Sequence, residues 1–129
     1  MSVHHRGIKP APATDAEALT KAPAAPSYLS SQAKAEWRRI MPQLIARRII
    51  TRADLAGVEA YCSAAGAARK IAEIINAMPV PDLKLGGLQI RYMQTARQLA
   101  SEYGLTPTSR ARLGADAPDD DADDPLAVR

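Results

Sequence analysis

The chain has 129 residues, of which 26 are Ala, none is Phe and one, Cys62, is Cys. That length supports one domain, a single thiol excludes an internal disulfide, and no run of about 18 apolar residues is present to span a membrane. The formal charge of +3 conceals an asymmetry, because residues 1–114 hold 16 Lys and Arg against 8 Asp and Glu, whereas residues 115–129 hold six Asp and one Arg.

Residues 1–26 carry Pro10, Pro12, Pro23 and Pro26 among Ala, Thr and scattered charge. Such a stretch buries too little surface to offset its ordering entropy, so we expect a flexible basic arm. Its start, "MSVHHRGIKPAPATD", lacks the apolar segment of a secretory signal, and together with the lone thiol this points to a cytosolic protein. Residues 27–114 then form the expected folded domain, and 115–129 an acidic disordered tail.

The first helix is predicted over 30–48, capped by Ser30 or Ser31, with Ala33, Trp37, Ile40, Met41, Leu44 and Ile45 as its apolar face. Pro42 lies inside it, removes the bond to the Arg38 carbonyl and predicts a kink or a broken turn. Thr51 and Asp54 form a capping box that opens a second helix over 52–78, closed by Pro79 and Pro81. Between Glu59 and Arg69 this helix reads "AYCSAAGAA", uncharged on every face. A helix apolar all round needs cover all round, which two or three partner helices from 88 residues hardly supply. The expectation is an oligomer with Tyr61, Ala64, Ala65, Ala68, Ile71 and Ile75 at the interface.

A loop, "PVPDLKLGG", leads to a third helix predicted over 88–103, with Tyr92, Met93, Ala96, Leu99, Ala100 and Tyr103 as its stripe. Gly104 stops it in the left-handed conformation, and Thr106-Pro107 starts a fourth helix over 107–113. The fold class is therefore all-α, a core of about four helices completed by copies of the chain.

Few residues could carry catalysis. His4 and His5 lie in the arm without Cys or carboxylate at ligand spacing, Cys62 has no neighbouring His, and no Gly-rich phosphate loop is present. We expect no enzyme, no catalytic residue, no metal and no cofactor. The cations say more. Lys34, Arg38, Arg39, Arg47, Arg48 and Arg52 crowd into 19 residues opposed by Glu36, a density that binds phosphate through counterion release. A solvated helix face, with Arg47 and Arg48 complementing a helix C-terminus, is the other reading of the same residues. The Asp run, residues Asp116, Asp119, Asp120, Asp121, Asp123 and Asp124, reads as a solubilising tail, a dock for a basic partner, or a segment that folds back and competes with DNA.

In order along the chain, Trp37, the Leu44 to Thr51–Asp54 passage, Tyr61-Cys62 and the Gly104-Leu105-Thr106-Pro107 … Ser109-Arg110 element resemble the bacteriophage terminase small subunits of the short helical type, over about residues 26–114. A departure is the short connection 79–87 with Gly86-Gly87, where such subunits carry a longer, Asn-Pro-containing one. The resemblance implies a ring-forming homo-oligomer that binds double-stranded DNA, recruits it to a separate large subunit with the ATPase and nuclease, and works in the bacterial host cytoplasm, for a phage or a gene transfer agent. In such a ring Arg110 would pair with a neighbour's carboxylate such as Glu102, or face DNA. A dimeric helix–turn–helix regulator and an adaptor binding an acidic protein stay open as alternatives.

Overall fold

The computed structural model describes residues 17–48, 50–106 and 110–111, and these are helical with no strand among them. Ser30 caps α1 (Ser31–Arg47), its hydroxyl accepting the Ala33 amide at 3.1 Å. α1 runs unbroken through Pro42, so the predicted break does not occur. Pro42 and Arg38 are both exposed, so the carbonyl that loses its amide partner is open to water, and the missing bond costs little there.

A one-turn 3-10 helix, Arg52–Asp54, turns the chain into α2 (Leu55–Asn76). The expected capping box is in place: the Thr51 amide and hydroxyl both donate to Asp54 Oδ2, at 2.9 and 3.1 Å. α3 spans Leu83–Glu102 and begins five residues before the predicted position. Asp82 is the reason, since its carboxylate accepts the Leu85 amide at 3.0 Å and caps a helix into which Gly86 and Gly87 are absorbed. Gly104 ends α3 at φ 67°, the left-handed stop its sequence predicts. Of the expected fourth helix, only Arg110 and Ala111 lie within the described residues, and both are helical.

α2 is the central element. α1 runs antiparallel along its first two thirds and α3 along its length, so the connection between α1 and α2 and the end of α3 meet at one pole. Gly66 sets the closeness of the α1 crossing: a Cβ there would lie 2.6–2.8 Å from the backbone nitrogen, Cα and Cβ of Ala33. At the pole, Gly57 makes room for the Tyr103 ring in the same way.

The core comprises Trp37, Ile40, Met41 and Leu44 of α1, Ile50 of the connection, Val58, Tyr61 and Cys62 of α2, and Ala100 of α3. Leu29 and, at its edge, Leu19 and Ala25 join it from the N-terminal side. Residues 17–26, expected in the flexible arm, are thus laid against the helices: Trp37 Nε1 donates to the Pro23 carbonyl at 3.0 Å, and the Leu19 amide to that of Ile50 at 2.8 Å. Burial of Ala18 and partial burial of Leu19 and Ala25 add to these two hydrogen bonds in holding the segment against the helices.

The prediction that α2 cannot be covered by its own chain is corrected here. Tyr61, Ala64, Ala68 and Ile71 are buried within the single chain, while Ala65 and Ile75 are half-buried. Ala and Gly give α2 so small a girth that two helices and one extended segment bury most of it, while Ala56, Ala60 and Ile74 stay exposed.

Candidate nucleic-acid interface

The pole where α1 hands over to α2 gathers Arg47, Arg48 and Arg52. Arg47 points across to α3, its Nη1 donating to the carbonyls of Gly104 at 2.6 Å and Tyr103 at 3.3 Å. These are orphan carbonyls at a helix end, so the side chain is a cap delivered from another helix. Arg48 terminates α1 in the left-handed region at φ 57°, its amide bonded to the Ile45 carbonyl at 3.0 Å, with its side chain exposed. A non-Gly residue there is strained by about 1–2 kcal/mol, so glycine would suit the backbone better. Arg52 is exposed and lines a groove with Glu17, Leu19, Thr51 and Ala53.

The other predicted cations do not join this group. At about 100° per residue, Lys34 and Arg38 lie on one flank of α1 and Arg39 and Arg47 on the other. Arg39 is committed to Glu36: its Nε donates to Oε1 at 2.8 Å and its Nη2 to Oε2. The Tyr61 hydroxyl donates to the same Oε2. Burial alone would raise the Glu36 carboxyl, but hydrogen bonds from Arg39 and Tyr61, with the charges of Arg39 and Arg69, outweigh it and hold the group below the usual carboxylate range. Burial and the Glu36 carboxylate push the Tyr61 phenol upward. Arg47 thus serves the fold and Arg39 is paired although its side chain stays 60% exposed; the remaining four are Arg38, Arg48 and Arg52, exposed, and Lys34, half-buried. None of these four takes an ion-pair partner among the described residues.

Sequence reasoning missed a surface at the opposite pole. Ile74 of α2, Met78 and Val80 of the loop, and Leu83, Ile90 and Met93 of α3 are all exposed, Leu83 at 90%. Leu83, Gly86, Gly87, Ile90 and Met93 recur at three- and four-residue spacing, a second stripe on α3 turned away from α2. The signal was in the spacing, but a loop drawn through Gly86-Gly87 concealed it. α3 also exposes Lys84, Arg91 and Arg97.

Cys62 is buried, and desolvation, with the Glu36 charge next, pushes its thiol up to about 12, so it is no nucleophile in the folded chain. Among the described residues no three of His, Cys, Asp and Glu come together to hold a metal, and no helix is long and apolar enough to cross a membrane. Arg110 is exposed, its amide bonded to the Thr106 carbonyl at 2.9 Å. His4, His5, Arg112 and the six aspartates of the tail lie outside the described residues.

A three-helix antiparallel unit with a basic pole and an apolar one, without a strand among its described residues, places the protein in the all-α class. The family follows from comparison: residues 33–120 match the model of the phage terminase small subunit. That is more than half of the chain, and the protein belongs to this family. Comparison with curated proteins and with solved structures gives no match.

Proposed function

We propose that the protein is the non-catalytic small subunit of a phage-type DNA-packaging terminase, which binds double-stranded DNA, assembles into a ring and delivers DNA to a large subunit carrying the ATPase and nuclease. The observation that carries this reading is the family match, which spans both the basic pole and the apolar one. DNA meets the pole of Arg48 and Arg52, with Arg38 and Lys34 extending the contact along α1. Binding runs through phosphate and counterion release, with little base readout. Copies of the chain meet through the exposed apolar surface of α2 and α3, which in isolation leaves Leu83, Val80 and Ile90 in water. Arg110 lies at the DNA pole's edge of this assembly, facing either a neighbour or the DNA backbone. The site of action is the bacterial host cytoplasm.

The helix–turn–helix alternative loses support, because α2, which would have to enter the major groove, is lodged between α1 and α3 with Val58, Tyr61 and Cys62 buried.

The test pairs native mass spectrometry with fluorescence anisotropy on a duplex over a salt titration. A closed assembly of more than four subunits and salt-dependent binding are expected. Substituting Arg38→Gln, Arg48→Gly and Arg52→Gln together should flatten the log–log salt slope by about 0.9 for each phosphate no longer neutralised, about 2–3 in all. Arg48→Gly also relieves the left-handed strain, so weakened binding cannot be assigned to unfolding. A slope equal to wild type removes DNA from this pole, and a monomer removes the ring.

A further inference from the structure

The chain leaves its helical core beside the cations that the DNA reading needs. Arg47 Nη1 is bonded to the Gly104 carbonyl at 2.6 Å, and Arg47 precedes Arg48 in the chain. Everything after Gly104 therefore starts from the basic pole. Ten residues beyond Thr106 comes Asp116, the first of the six aspartates in "DAPDDDADD". A ten-residue stretch spans at most about 35 Å, about the length of α2 at 1.5 Å per residue, so the run can return to the pole it left without strain.

We propose that the exposed cations of this pole, Arg48 and Arg52, are a docking surface for the chain's own acidic run, residues 116–124, which occupies it in competition with DNA phosphate. Three observations converge on this occupant. The surface carries exposed guanidinium groups with no ion-pair partner among the described residues. The run holds six of the chain's 14 acidic residues, and the tail's only cation is Arg129 at its far end. The tether is anchored at the surface itself. Glu17, which lines the groove beside Arg52, Asp54, engaged by Thr51, and Glu102, exposed at the end of α3, are acids already present at this pole, and the run competes with them for the two arginines.

The physical consequence is a threshold. A tether of this length holds the run at an effective concentration in the millimolar range, so a weak contact still occupies the pole when no DNA is present. Isolated phosphates are excluded, whereas a duplex that engages several chains of an assembly displaces the run cooperatively. Salt weakens both contacts alike, because both are exposed and screened over about 8–10 Å. The docking stands on geometry and charge alone, while the competition rests on the DNA reading of the same pole.

Disulfide trapping in the full chain tests the docking without DNA. Ala53→Cys places a thiol beside Arg52 without removing a cation, and Ala122→Cys places one within the run. Cys62 is buried and stays out of the reaction. An intrachain disulfide is expected to form about fivefold faster than in a Gln94→Cys/Ala122→Cys control on the exposed side of α3, and the advantage should vanish at about 0.5 M salt. Equal rates overturn the docking, and so does a product that is mainly a covalent dimer, which would put the run on a neighbouring copy. Replacing the six aspartates by asparagine should then tighten duplex binding about three- to tenfold at low salt. Unchanged affinity overturns the competition. Rapid trapping in a protein that binds no duplex in either form would instead reject the DNA reading and leave the docking intact.

Discussion

Replacing Gly66 by Ala should destabilise the protein, although alanine is the better helix former. In open helix the substitution would gain about 1 kcal/mol. Here the new Cβ would stand 2.6–2.8 Å from three Ala33 atoms, two of them backbone, where ordinary contact is 3.4–4 Å. Neither helix has a flexible side chain to yield at this point, so α1 must move off α2 by about 1 Å. That movement loosens Trp37, Ile40 and Leu44, and overpacking of this kind costs about 1–3 kcal/mol or more. A contact this short to backbone belongs to the upper part of that range, about 2–3 kcal/mol, so the net expectation is a loss of about 1–2 kcal/mol, or a fall in Tm of about 4–16 °C for a domain of this size. Gly87→Ala provides the control, because nothing lies within 4 Å of a Cβ there and the same chemical change should raise stability by up to about 1 kcal/mol. Urea denaturation at fixed subunit concentration measures both, with native mass verifying that assembly is unaltered. A Gly66→Ala protein as stable as wild type would refute the close crossing of α1 on α2.

Two further outcomes follow from the buried polar groups. The folded Glu36 carboxyl titrates below its unfolded value, so its contribution is present above the unfolded pKa and is lost as pH falls through the folded one. Stability should therefore drop below about pH 4.5, and Glu36→Gln should flatten that part of the urea-midpoint profile while lowering stability near neutrality; an unchanged acid limb would remove Glu36 from its bonds with Arg39 and Tyr61. Cys62, its thiol pushed up to about 12, should not react with an aromatic disulfide reagent at pH 8 until urea unfolds the chain, when one thiol per chain should appear; prompt reaction in the native state would show that α2 opens around it.

Much of the fold was legible because its signals are local. Ser30, the Thr51–Asp54 box and Gly104 act within one helical turn of themselves, and the three- and four-residue recurrence of Trp37, Ile40, Met41 and Leu44 marks a buried face wherever its partner lies. The family was legible for a related reason, since the marks that carry it are such local elements in order along the chain. The start of α3 was missed because Gly86-Gly87 reads as a loop until Asp82 is seen capping the turn before it. What sequence by itself could not decide is which partner each side chain finds across space. Six clustered cations looked like one phosphate surface, yet Arg39 turns to Glu36 and Arg47 caps the end of a helix 56 residues further on. Charge density along the chain is a one-dimensional quantity, whereas helical rotation sends neighbours in sequence to opposite flanks. Likewise the apolar girth of α2 called for cover from other copies, and only the crossing at Gly66 decided that α1 comes close enough to supply it.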